Sequence, residues 1–310
     1  MAQQTLRGGI RVFSIVSPDG AAQADIVPEL GGIVSSLRLG PPGERLFRHG
    51  WFWDPDAEQT RGGIPLLFPV CGRLLKEGTP GLYHLGGQPY VLPIHGFAMR
   101  RPWEVADATR PDALRLRLAD SALTRTMYPF AFGLDLRFRV SSDGFSCELT
   151  VRNTGEAPMP YSAGFHPYFA TPPPDAGKHR TRFEAHPVAR LLYNETKTDV
   201  VGAARPPTFP RPVVGDEING LLLDVGARGD TRLLFPDGSA IRQTASPLFR
   251  LRQFYTLPDE PFFCDEPWMA PPGSLHRPGA ARLLPPGQEE SGQIQIQRLP
   301  PPPDAVPPES

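Results

Sequence analysis

The sequence predicts an all-β fold, one large antiparallel β-sandwich. Three observations carry this expectation. Proline (40) and glycine (31) are abundant in a chain of 310 residues. Both break helix interiors and collect in turns and at strand edges, so the chain consists of many short elements and long helices are nearly excluded. Apolar and charged side chains alternate with period two over long stretches, the pattern of strands with one face on a core and one toward water. No repeat period and no linker-like segment divides the chain, so residues 1–299 are read as a single domain followed by a Pro-rich, disordered tail, 300–310.

The elements follow in order. Ile10, Val12 and Ile15 form one apolar run; Ala24, Ile26 and Val27 form a second. Gly31-Gly32 marks a turn or bulge before Ile33, Val34 and Leu37. Residues 41–60 are turn-rich and hold Trp51, Phe52 and Trp53, whose commonest use is core or lid packing, with stacking on a ligand as the other. From 112 to 152 the alternation is cleanest. Leu114, Leu116 and Leu118 alternate with Arg115 and Arg117, and Leu134, Leu136, Phe138 and Val140 with Asp135, Arg137 and Arg139. Cys147, Leu149 and Val151 alternate with Glu148, Thr150 and Arg152, and Ser142-Asp143-Gly144 reads as the hairpin turn between the last two runs. Residues 171–219 are irregular, and loops with short edge strands are expected there. Strand patterns resume at Leu233-Leu234-Phe235, Ala240-Ile241-Arg242, Phe249-Leu251-Gln253 and Ser291–Arg298, with Pro236-Asp237-Gly238 as a turn.

Composition excludes several functions. With 32 basic and 33 acidic side chains the chain lacks the basic excess of a nucleic-acid binder. No apolar run approaches the ~20 residues of a membrane helix, and Met1–Arg7 has no apolar signal stretch, so a cytoplasmic location is the expectation. Cys71, Cys147 and Cys264 are odd in number and far apart, and read as buried thiols rather than a disulfide or zinc framework.

Four segments place an ionisable residue in an apolar stretch punctuated by Gly and Pro. They are Arg61–Arg73, Ile94–Arg100 with His95, Pro160–Phe169 with His166, and Cys264–Trp268 with Glu266. Apolar neighbours shift the pKa of a histidine or carboxylate, as acid–base work near neutral pH requires. Taken singly, each histidine fits a buried residue bonded to a carbonyl better than it fits a catalyst. Glu266 alone fits a loop salt bridge equally well. The remaining histidines read as surface or structural.

Together these segments resemble the aldose 1-epimerase (galactose mutarotase-like) family from about Ala24 to Arg298. The resemblance rests on Ile26-Val27-Pro28-Glu29-Leu30-Gly31-Gly32, Gly63-Ile64-Pro65-Leu66-Leu67-Phe68-Pro69 with Gly72-Arg73, and His95-Gly96-Phe97-Ala98. It continues through Tyr128-Pro129-Phe130, Gly164-Phe165-His166-Pro167-Tyr168-Phe169 and Glu266-Pro267-Trp268. It implies a galactose mutarotase-like β-supersandwich with a cleft on a concave sheet, and neither metal nor organic cofactor. The substrate implied is a small sugar or sugar phosphate. By position, Glu266 matches a general base for the sugar's C1 hydroxyl, His166 a general acid for the ring oxygen, and His95 a second histidine at that oxygen. Arg73 resembles a donor to sugar oxygens, Asp224 an acceptor of sugar hydroxyls, and Arg61 a cation of phosphosugar members. Met99 stands where a basic residue is common.

The expected function is therefore anomer interconversion of a hexose, with a glucose-6-phosphate 1-epimerase or an idle carbohydrate binder as alternatives. A glycosidase needs two carboxylates facing one site, whereas Asp265 and Glu266, as strand neighbours, face opposite ways. No nucleic-acid or membrane partner is expected, and the chain is read as a monomer or weak dimer.

Overall fold

The period-two runs become strands whose inward residues close against one another. In the computed structural model, which describes residues 1–40, 43–54, 56–57, 60–142 and 144–301, Ala113–Ala119, Phe132–Ser141 and Gly144–Asn153 are successive antiparallel strands. Leu114 lies opposite Phe138, Leu116 opposite Leu136, and Leu136 opposite Leu149. All these inward side chains are buried, each contributing about 1.5–3 kcal/mol on removal from water. On the other face Arg115, Arg117 and Arg137 converge on Asp135. Ser141 pairs with Gly144; Asp143 of the expected turn lies outside the described residues, as does nearly all of the tail, 302–310.

Among the described residues these strands belong to a nine-stranded antiparallel sheet. It continues through Glu289–Leu299, Ala240–Ala245, Asp230–Leu234 and Arg182–Ala185 to Arg211–Pro212. A four-stranded sheet gathers the runs of the first forty residues, in the order Gln3–Arg7, Ile10–Val16, Ala22–Val27, Ile33–Leu39. The longest α-helix among the described residues is the six-residue turn Ala122–Met127. Among the described residues no helix is long and apolar enough to cross a membrane. Segment 171–219 holds short strands, two of which, Val200–Ala204 and Arg211–Pro212, are sheet edges as expected. The three cysteines are buried and free.

An eight-stranded sheet carries the residues singled out above. Its centre is Phe262–Trp268, buried at every position. Leu251–Tyr255 pairs on one side; Gly164–Phe165 and Tyr168–Ala170 pair on the other. Gly164 is required for that approach: a Cβ there would sit 2.7 Å from the Pro267 carbonyl oxygen and 2.8 Å from the Trp268 ring. Alternation sends Phe263 into a cluster with Phe183 and Phe254 and Asp265 into the interior. There Asp265 accepts from Thr231 and lies 3.4 Å from the fully buried Arg252 guanidinium, which also donates to the Gly229 carbonyl. Gln243 donates to the Asp265 carbonyl at 2.9 Å. Glu266 faces the opposite way.

This pairing predicts that Asp265→Ala, which strands Arg252 as a buried uncompensated charge, destabilises the protein by about 3–5 kcal/mol. Urea denaturation measures it; a loss below about 1 kcal/mol would mean that the ion pair contributes little.

Candidate active site

His95, His166 and Glu266 converge on one cleft of about 470 Å³, on the eight-stranded sheet. All three are buried, and each is placed by backbone geometry readable in its local sequence.

His95 has a left-handed backbone, φ +64°. The following Gly96 has φ +72°, and a Cβ there would lie 2.1 Å from the Phe68 carbonyl oxygen; only glycine fits. The bend puts His95 against Gly72 twice. The His95 N–H donates to the Gly72 carbonyl at 2.9 Å, and the Gly72 N–H donates to His95 Nδ1 at 3.1 Å. A ring nitrogen that accepts a hydrogen bond carries no proton of its own, so the neutral ring holds its hydrogen on Nε2. His95 is a fixed hydrogen-bond donor. Burial first, then the charges of His166, Arg100 and Arg73, push its pKa well below 6.5 and keep it neutral.

His166 follows the strand Gly164–Phe165, and its N–H donates to the Pro65 carbonyl at 3.0 Å. Its Nε2 lies 3.3 Å from Glu266 Oε1. The other carboxylate oxygen, Oε2, accepts from the Trp268 indole N–H at 3.1 Å. Burial raises the Glu266 pKa well above the usual carboxylate value and lowers that of His166. The two effects act in opposite senses on proton number, so burial favours a single proton on the pair, a protonated carboxyl beside a neutral imidazole.

The three side chains present nitrogen and oxygen atoms within 4.8 Å of one another, a spacing that suits a metal ion. The donor set does not fit. With Nδ1 occupied by the Gly72 N–H, His95 offers no free lone pair on either nitrogen.

Of the other residues singled out, Arg73 reaches the cleft, exposed at its mouth beside Arg100 and Lys197. Arg61 and Asp224 do not line it. The Arg61 guanidinium is buried and donates to the carbonyls of Phe52 and Asp54, and to Ala57 at 3.1 Å. It fastens the loop after Trp51 and borders a neighbouring pocket shared with Met99, Arg100 and Arg101. Asp224 stands at its strand's end, where both oxygens meet Arg250 at 2.8 Å and one also accepts the Gly226 N–H. Sequence reasoning missed Gln253, Tyr193, Lys197 and Asn219, which form a wall of the cleft. Gln253 lies opposite Glu266 in register. Its signal was a polar residue on the inward face of an apolar alternation.

The family model for aldose 1-epimerase matches residues 19–297. The chain belongs to the aldose 1-epimerase family. It is 25% identical to the chromosomal LacX protein of Lactococcus lactis over 126 residues, 39% of this chain and 41% of that protein. It is 31% identical to a Salmonella typhimurium protein named "Putative glucose-6-phosphate 1-epimerase" over 112 residues, 35% of this chain and 32% of that one. The match thus spans well under half the length of these relatives. Among solved structures, Slr1438 from Synechocystis superposes with a TM-score of 0.78 at 24% identity, covering 96% of both chains. Galactose 1-epimerase from Lactobacillus acidophilus superposes at 0.73 and 11% identity, covering 96% of this chain and 99% of that one. These likenesses establish the fold, a galactose mutarotase-like all-β architecture.

The placement of Asp224 predicts that Asp224→Asn leaves the KM for a sugar substrate unchanged and costs at most about 1 kcal/mol, because Arg250 is largely exposed. A tenfold rise in KM would put Asp224 at the substrate.

Proposed function

We propose that this aldose 1-epimerase family member interconverts the α and β anomers of a hexose by acid–base ring opening and reclosure. The observation that carries the reading is the contact of Glu266 Oε1 and His166 Nε2 at 3.3 Å, beside a donor-only His95. Ring opening takes a proton from O1 and delivers one to O5. These oxygens are bonded to the same carbon, C1, so their acid and base must also be neighbours. Glu266 accepts the O1 proton, His166 protonates O5, and His95 Nε2–H donates to O5 as its electron density changes. Rotation about C1–C2 turns the other face of the aldehyde, and the transfers run in reverse to close the second anomer. One proton on the pair is the stoichiometry this needs, and no redox partner enters the balance. Trp268 and Tyr255 give apolar faces for the sugar's C–H surfaces. An idle carbohydrate binder would not need a buried carboxyl held against an imidazole.

NMR exchange spectroscopy on freshly dissolved α-glucose and α-galactose tests this. Glu266→Gln and His166→Asn should each lower kcat by about 10²–10⁴-fold. Absence of exchange above the spontaneous rate in the unaltered protein would refute mutarotation, and active variants would refute the assigned pair. The pH profile of kcat/KM for unphosphorylated glucose should be a broad plateau. Burial lowers the imidazolium pKa and raises that of the carboxyl, so the acid limb falls well below 6.5 and the alkaline limb above the ordinary carboxylate range. An acid limb near 6.5 would mean His166 titrates alone.

A second reading, a phosphorylated hexose, is favoured by the charge of the cleft. Arg73, Arg100 and Lys197 line it, against Glu266 as its one carboxylate among the described residues. Among the described residues Arg73 makes no hydrogen bond or ion pair, which leaves its donors for a ligand, and charge-assisted bonds to phosphate contribute about 1.5–3 kcal/mol each. On this reading Arg73→Ala raises KM for glucose 6-phosphate about tenfold or more and leaves KM for glucose unchanged. Equal effects on both sugars would favour the free hexose.

A further inference from the structure

Most catalytic histidines are oriented by a hydrogen bond at the nitrogen that does no chemistry. In His166 that nitrogen, Nδ1, is buried and, among the described residues, is met by no other residue at hydrogen-bond distance, the residue's own backbone being its nearest polar neighbour. Its ring is nevertheless held in one plane, lying parallel to the Tyr168 ring at a centroid distance of 4.6 Å and an angle of 8°.

We infer that Tyr168 is the positioning residue for His166, its stacked ring doing the work that a hydrogen bond to Nδ1 does elsewhere. The inference rests on the mutarotase reading of the cleft. Tyr168 is a rigid platform. It is 1% exposed, sits opposite Cys264 in register, donates its N–H to the Gly63 carbonyl at 2.9 Å and accepts the Phe47 N–H at 2.8 Å. Its hydroxyl meets Thr60 Oγ1 at 2.7 Å, and Phe262 packs against the ring at 5.1 Å.

The parallel geometry has two consequences that ordinary packing lacks. A stacked partner fixes the imidazole plane while leaving both ring nitrogens clear at its edge, so Nε2 stays aimed at Glu266. It also turns a π face toward the imidazole, which favours the imidazolium formed when His166 takes up its proton. The other groups facing His166 are Glu266, His95 with its ring edge-on at 5.3 Å, and His49, which meets Tyr168 edge-on at 5.6 Å and whose charge lowers the His166 pKa. Among these, Tyr168 alone meets the imidazole face to face.

Tyr168→Phe keeps the ring and loses the Thr60 bond; Tyr168→Leu keeps bulk and loses the stack. Phe should retain kcat for glucose anomer exchange within about threefold. Leu should lower kcat about tenfold or more with KM within about twofold, and lower the His166 titration, followed by NMR of its imidazole, by about half to one pH unit. Adding Tyr168→Leu to His166→Asn should cause no further loss of kcat, since the ring acts through the histidine. The inference is overturned if Leu and Phe behave alike, if the His166 titration does not move, or if the double variant loses activity additively. Thermal unfolding of each variant identifies a loss due to misfolding. If the unaltered protein exchanges no anomers, the mutarotase reading fails, while the imidazole titration still decides whether Tyr168 governs His166.

Discussion

The strand Phe262–Trp268 carries a carboxylate on each face, and the site depends on keeping those faces apart. Asp265 points inward to Arg252, Thr231 and the turn at Gly229; Glu266 points outward to His166 and Trp268. A register slip of one residue would exchange them, burying Glu266 against Arg252 and exposing Asp265 in the cleft. The buried ion pair acts on one side as a lock on register, and the close approach of Gly164 to Pro267 acts on the other. Between these constraints the Glu266–His166 contact has little freedom to drift.

Burial then sets the chemistry. In water, Glu266 would be ionised and His166 mostly neutral at pH 7. Removed from water, both prefer their neutral forms, and only their contact makes the charged arrangement accessible. The protonated carboxyl beside a neutral imidazole and the carboxylate beside an imidazolium hold the same number of protons. Moving between them costs no exchange with solvent. On the proposed reading, a sugar inserted at this pair supplies the oxygens through which that transfer becomes ring opening or ring closure. His95 stands outside the exchange, because the Gly72 N–H fixes its tautomer. It contributes a donor that does not change with pH.

Much of this was legible in the sequence, for identifiable reasons. Period-two runs reported strands because alternation records which face meets the core, and Leu114, Phe138 and Leu149 became inward neighbours accordingly. His95, His166 and Glu266 stood out because glycine and proline mark the bends that bring short strands together. Asp224 and Arg61 show the limit. A Leu-rich strand ending in Asp does not reveal whether its last side chain faces the cleft or turns back to a neighbour, and here Arg250 takes it. The partners of Arg61 are backbone carbonyls, whose positions depend on loop conformation and leave no trace in residue type. Tyr193, Lys197 and Asn219 were hidden for the same reason: they reach the cleft from the irregular segment 171–219, where no periodicity predicts direction.

The most direct measurement is a crystal structure with glucose or galactose held in the cleft. The account predicts O1 within hydrogen-bond distance of Glu266, and O5 within reach of both His166 Nε2 and His95 Nε2. A sugar seated in the same cleft with C1 turned away from the Glu266–His166 pair, or one bound elsewhere on the sheet, would contradict it.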